Sequence, residues 1–161
     1  RPDAVNPEAH LVSLLLRYPL TLAARNGVLF QISLNDIDDA RNRAIVDAII
    51  THDGDVATAL EDLPEEIAAS ALSIRHSQPV RTDLTPSMAA NEVAQAIAIV
   101  QRARHQDRLR VARQDLADAQ SANDALQVRD ALNRITELTA QQSRFDPKES
   151  TYFRDLRSPT R

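Results

Sequence analysis

The side chains that could do chemistry in this sequence are four histidines, several acidic clusters and one arginine-rich stretch. The histidines, His10, His52, His76 and His105, lie far apart and have no paired spacing of the kind a metal site needs. Each is expected to be an ordinary surface or boundary residue. Cysteine is absent, which excludes disulfides and thiolate metal sites. With no glycine-rich phosphate loop or nucleophile elbow either, the sequence predicts no catalytic residue, no metal site and no cofactor in this chain.

Acidic residues concentrate in one part of the chain, and helix starts account for several of them. Residues 36–66 contain ten acidic residues and two arginines. Asp36, Asp38 and Asp39 are expected in the first turn of a helix capped by Asn35, where the helix dipole favours negative charge. The net charge of −4, without a large basic face, argues against strong direct binding of nucleic acid.

The arginine-rich stretch RARHQDRLR, residues 102–110, lies within one long predicted helix, Pro86 to Gln120. Thr85 suits the N-cap and Pro86 the first helical position. At ~100° per residue the apolar stripe changes side by roughly 130° along this helix. The first stripe is Val93, Ala96, Ile97, Val100 and Ala103, and the second is Leu109, Ala112, Leu116 and Ala119. We therefore expect one helix to serve two cores, joined by a stretch that is either solvated or a functional basic patch.

The composition predicts the fold class. Hydrophobic residues make up 43% of the 161 residues, with much alanine, while aromatic residues make up 3% and glycine occurs twice. Such a chain is rich in residues that favour helices and poor in residues that favour strands, so an all-α fold is expected. It contains no apolar run long enough to cross a membrane and no signal peptide pattern, so we expect a soluble protein. Because it begins at Arg1, we expect a fragment of something longer.

Helix signals divide the chain into three expected parts. Asn6 and Pro7 begin a leucine-rich first helix that ends before Pro19. Residues 1–104 are expected to form a helical bundle that includes the first half of the long helix. Residues 105–142 should form a terminal antiparallel helical hairpin, and residues 143–161 a basic tail that contains aromatic residues.

The hairpin is predicted from the spacing of its apolar residues. After a turn in which Ser121 or Asn123 is expected to cap the last helix, small or apolar residues recur at three-and-four spacing. They are Ala125, Val128, Leu132, Ile135 and Thr139. Pairing with the second stripe of the long helix gives a thin seam that buries little apolar area. Such a projecting hairpin is better suited to docking than to independent folding.

Residues outside this predicted seam are the candidate docking residues. We expect them to contact a helical surface of a partner, although they could instead pack on the bundle or tail of the same chain. They are Val111, Gln120, Leu126, Arg129, Asn133 and Leu138. In the tail, Tyr152, Phe153 and Leu156 are candidate anchors for one amphipathic turn.

The opening NPEAHLVSLLLRYP resembles the start of the C-terminal helicase-interaction domain of bacterial DnaG-type DNA primases. Glu8, the leucines at 11 and 14–16, and Pro19 carry the match, and ARQDLADAQSANDALQVRDALNRITELTAQ is similar to the charged hairpin that closes that domain. The resemblance covers about residues 6–142. It implies a non-enzymatic bacterial, cytoplasmic module that recruits primase to the DnaB-type replicative helicase, largely through the hairpin. It also implies that the bundle receives the acidic tail of single-stranded-DNA-binding protein, although no matched basic residues for that tail are recognisable here.

Two alternatives remain from the sequence. The N-terminal domain of a DnaB-type helicase has a related helical bundle and would make the chain a self-assembling collar. A helical regulatory or scaffold protein outside replication is the other. The proline after the first leucine-rich helix and the long charged hairpin favour the primase resemblance.

Overall fold

The computed structural model describes residues 6–18, 32–78 and 80–142, and within these ranges it contains six α-helices, one 3₁₀ turn and no β-strand. The elements are α1 (Pro7–Arg17), the 3₁₀ turn (Leu34–Asp36), α2 (Ala40–Thr51), α3 (Val56–Asp62), α4 (Glu65–Ser77), α5 (Pro86–Ser121) and α6 (Ala125–Gln141). The prediction of an all-α fold is confirmed. None of these described helices is long and apolar enough to cross a membrane.

The chain divides into two compact units at the middle of the longest helix. The first unit is Arg1–Val100 and the second is Gln101–Arg161. Helix α5 has 36 residues and continues without interruption across that division. The predicted long helix is therefore present, and it ends one residue later than expected.

Helix α1 provides the centre of the first unit. The side chain of Asn6 accepts hydrogen bonds from the backbone N–H groups of Glu8 and Ala9, at 3.0 and 3.3 Å, and Pro7 occupies the first helical position. Residues 11–16 are all buried, and α1 packs against α2 and α4. The helix ends at Arg17, and Tyr18 has left the α region, as expected for a residue that precedes proline.

The start of α2 differs from the prediction that Asn35 caps it. Ser33 caps the short 3₁₀ turn instead, and Asp39 is the N-cap of α2, accepting hydrogen bonds from the N–H groups of Arg41 and Asn42. Between them Ile37 is extended and 1% exposed. Burying this isoleucine interrupts the helix that local capping signals favour, because tertiary packing outweighs a capping preference of about 1 kcal/mol.

Glu8 joins the beginning of α1 to the beginning of α2. Its carboxylate accepts hydrogen bonds from the N–H groups of Asp38 and Asp39, at 2.5 and 3.1 Å, and from the side-chain amide of Asn42 at 3.3 Å. A charged acceptor makes such bonds stronger than neutral ones. The glutamate that appears in the sequence as a first-turn residue of α1 is therefore also a tertiary anchor of the first unit.

Two tight connections link α2 to α3. Asp53 has φ 50° and Gly54 has φ 83°, and the N–H of Gly54 donates to the carbonyl of Ile49 at 2.9 Å. Asp55 then caps α3, its carboxylate accepting from the N–H of Thr58 at 3.3 Å. His52 Nε2 lies 2.6 Å from an Asp62 carboxylate oxygen and so joins the end of α2 to the end of α3. The expectation of an ordinary boundary histidine missed this contact with Asp62.

The first half of α5 carries a buried stripe in the first unit. Thr85 caps it as predicted, its hydroxyl accepting from the N–H of Met88 at 3.3 Å. Of the predicted stripe, Ala103 is exposed and belongs to no core. The buried residues are Ala89, Ala90, Val93, Ala94, Ala96, Ile97 and Val100. This stripe is alanine-rich, which allows close helix packing at a modest gain per residue.

Candidate protein-docking surface

The second half of α5 and helix α6 form a hairpin in the second unit. The chain turns at Asn123, whose φ is 53°, a left-handed conformation that asparagine tolerates. Asp124 caps α6 and accepts from the N–H of Gln127 at 3.1 Å, so the prediction that Ser121 or Asn123 caps this helix was wrong. Ser121 is the last residue of α5, and its hydroxyl donates to the carbonyl of Ala117.

The seam residues of α5 follow the predicted stripe and extend it by one histidine. Leu109, Ala112 and Ala119 are buried and Leu116 is partly buried. His105 is 3% exposed, so its prediction as a surface or boundary residue was wrong. It lies four residues before Leu109 and continues the same four-and-three spacing. This spacing was the sequence signal that could have predicted the burial of His105 in the seam.

The seam residues of α6 differ from the predicted set by a rotation of roughly 60° at ~100° per residue. Ala131 is 3% exposed, and Val128, Ile135 and Leu138 are partly buried. Leu132, predicted in the seam, is 48% exposed, and the predicted seam residues Ala125 and Thr139 are exposed. Both registers contain Val128 and Ile135, so the spacing of apolar residues alone could not separate them. The ion pair of Arg134 with Asp115, 2.9 Å across the hairpin, accompanies the observed register.

The six candidate docking residues do not form one surface. Leu126 is 74% exposed and Val111 is 43% exposed, and Gln120, Arg129 and Asn133 are also exposed. Leu138 is partly buried at a seam position, so it is not the free flank residue that the sequence suggested. The tail anchors Tyr152, Phe153 and Leu156, and residues 19–31, lie outside the described residues.

Charge is distributed unequally between the two sides of the hairpin. The Asp115–Arg134 ion pair marks one side. At ~100° per residue, Val111 projects towards that side or towards the back of its helix. The acidic residues do the same, with the exception of the cap Asp124. These acidic residues are Asp107, Asp115, Asp118, Asp130 and Glu137. The opposite side contains no carboxylate among residues 101–142.

The opposite side is defined by Arg113 on α5 and by Arg129 and Leu132 on α6. We call these three residues the arginine side. All three are exposed, and Gln120 lies on the same side at a neighbouring level. Arg113 and Arg129 make no side-chain hydrogen bond or ion pair with any described residue. Arg104 and Arg110, in contrast, bond to Asp107 within α5.

The stability of the second unit is expected to fall as the pH decreases, because of His105. Burial, together with the positive charge of Arg108, lowers the pKa of His105 from its ordinary value of 6.5. The folded chain therefore keeps His105 neutral, whereas the unfolded chain binds a proton near pH 6.5. The free energy of unfolding should decrease from that pH downwards, until the lowered pKa is passed.

Thermal melts of the wild type and His105→Gln at about pH 7.5 and about pH 5.5 test this expectation. Because the variant lacks the titrating group, its melting temperature should drop less between the two pH values than that of the wild type. The difference between the two proteins removes the contribution of every titrating group that they share. An equal drop in both proteins would contradict the assignment.

The described residues form an all-α fold, and the hairpin of the second unit carries the candidate docking surface. Within the described ranges, no three histidine or acidic side chains come together as a metal site would require. Comparisons with known protein families, curated proteins and solved structures found no match.

Proposed function

We propose that this chain is a protein-interaction module that recruits a DnaG-type DNA primase to a DnaB-type replicative helicase during RNA primer synthesis. The sequence resemblance over residues 6–142 supplies the partner, and the primase's catalytic core would lie outside this chain. The setting that goes with this function is the bacterial cytoplasm.

The observation that carries the proposal is the disproportion between what the hairpin buries and what it exposes. Three of its buried seam residues are alanines, Ala112, Ala119 and Ala131. In the same helices Leu126 is 74% exposed and Leu132 is 48% exposed. Since burying a leucine contributes about 1.5–3 kcal/mol and burying an alanine much less, the burial of these two leucines is a sizeable apolar contribution that remains to be gained on binding.

Binding of the purified chain to a purified DnaB-type helicase tests the proposal directly. We expect a complex on size-exclusion chromatography, and we expect Leu126→Asp to weaken it because a charge replaces an exposed apolar contact. Leu72→Asp is the matched control, since Leu72 is 45% exposed on α4 in the first unit. Failure of the wild type to bind would contradict the function. A chain that assembles into rings by itself would instead support the helicase-collar alternative.

A further inference from the structure

We propose that the arginine side of the hairpin, Arg113, Arg129 and Leu132, binds an acidic protein surface that has an apolar recess. This inference rests on the proposed function, because it takes the helicase as the partner. It specifies the side of the hairpin that makes the contact and the chemistry that the partner's surface must present. Neither the resemblance nor the apolar spacing indicates this side.

The charges of the hairpin support an acidic partner. Arg113 and Arg129 are exposed and have no carboxylate partner among the described residues. On the other side of the hairpin Arg134 is bound to Asp115, and at the back of α5 Arg110 is bound to Asp107 at 2.7 Å. Two arginines that the described helices leave without a carboxylate, on a side from which acidic residues are excluded, give a local positive field in a chain of net charge −4. That field attracts carboxylates.

Leu132 supplies an apolar contact next to these charges. It lies on α6, three residues after Arg129, and is 48% exposed although its neighbour Ala131 is 3% exposed. An exposed leucine flanked by arginines has the arrangement of an interface centre, in which an apolar anchor is surrounded by charged groups. The partner should therefore offer an apolar recess bordered by aspartate or glutamate.

The residues of this side favour a protein over a nucleic acid. A planar guanidinium binds a carboxylate with two parallel hydrogen bonds, so two unpaired arginines suit a few well-placed acidic side chains. Strong binding of a nucleic-acid backbone needs a longer positive track, and single strands also need aromatic side chains for base stacking. Residues 101–142 contain no lysine and no aromatic residue.

The test compares charge reversal on this side with the same reversal elsewhere. The variant is Arg113→Glu with Arg129→Glu, and the control is Arg41→Glu with Arg75→Glu. The control arginines are exposed in the first unit, and their replacement changes the net charge equally. Affinity for the helicase is measured by fluorescence anisotropy with the full chain, and thermal melts check the fold. The neutral variant Arg113→Gln with Arg129→Gln serves if the reversed variant does not fold.

Reversal is expected to weaken helicase binding by at least about 30-fold, whereas the control should change it by less than about threefold. The neutral variant should show an intermediate loss, and Leu132→Ala should weaken binding by about fivefold or more. Raising the salt concentration should weaken the wild type more than the reversed variant, because the wild type retains the charge pairs that salt screens.

Three results would overturn this inference, and they separate it from the proposed function. If the wild type binds helicase and the reversed variant binds equally well, the arginine side is not the contact, and the proposed function stands. If the wild type does not bind helicase, both fail. If the wild type binds a single-stranded thymidine oligonucleotide and reversal abolishes that binding without affecting helicase, the side is a nucleic-acid surface.

Discussion

Leu15→Ala is expected to destabilise the first unit by about 2–5 kcal/mol, as large-to-small changes in a close-packed core do. Leu15 is 0% exposed and lies in the middle of α1, between the buried neighbours Leu14 and Leu16. Helix α1 packs against both α2 and α4, so a cavity here removes contacts from the centre of the unit. The melting temperature should fall by more than about 8 °C.

Circular dichroism melts of Leu15→Ala and Leu72→Ala measure this effect with the same substitution at two levels of burial. Leu72 is 45% exposed, so its replacement should cost well under about 1.5 kcal/mol. Equal losses in the two variants would mean that α1 is not the centre of the first core.

Ala112→Glu is expected to open the hairpin of the second unit, at a cost of at least about 3 kcal/mol. Ala112 is 0% exposed in the α5 seam, between the buried residues Leu109 and Ala119. A glutamate is too large for this position, and burying its charge without a partner carries a high desolvation cost. Since the partner residues in α6 bury little, the seam has few other contacts to compensate.

The control for this change is Ala140→Glu, which introduces the same residue at an exposed position near the end of α6. It should change the free energy of unfolding by less than about 1 kcal/mol relative to the wild type. Helicase binding should be lost in Ala112→Glu and kept in Ala140→Glu, because binding needs the two helices side by side. A stable Ala112→Glu protein that still binds helicase would contradict the burial of Ala112 in the seam between α5 and α6.

Helix ends were largely predictable from the sequence because their signals are local. Asn6 and Thr85 cap the helices they were expected to cap, since each needs only its own side chain and the N–H groups two or three residues on. The start of α2 was not predictable in this way. It depends on the burial of Ile37 and on the Glu8 carboxylate, about 30 residues away in the sequence.

The seam of the hairpin shows where apolar spacing becomes ambiguous. In α5 the predicted residues Leu109, Ala112, Leu116 and Ala119 are buried or partly buried, because residues 101–121 contain no leucine outside this stripe. In α6 Leu132 and Leu138 exchange their expected positions, one being exposed and the other partly buried. Two leucines six residues apart cannot both lie on a seam of three-and-four spacing, and the sequence does not say which one does.

The sequence predicted that the candidate site lies on the hairpin, but it did not predict which side of the hairpin carries the site. Gln120 and Arg129 of the expected docking residues do lie on or beside the arginine side, whereas Val111 lies on the other side. The expected docking residues do not include Arg113, which we place in the contact. Its signal was the absence of carboxylates on its side, which becomes visible only when the Asp115–Arg134 pair fixes the register.

Hydrogen exchange of the chain with and without a DnaB-type helicase tests most directly whether the second unit makes the contact. We expect amide exchange to slow on binding in the part of α5 around Arg113 and in α6 around Arg129 and Leu132, where a partner would suppress local opening. Slowing confined to α1–α4, with α6 unchanged, would contradict the account. The bundle, and not the hairpin, would then be the docking element.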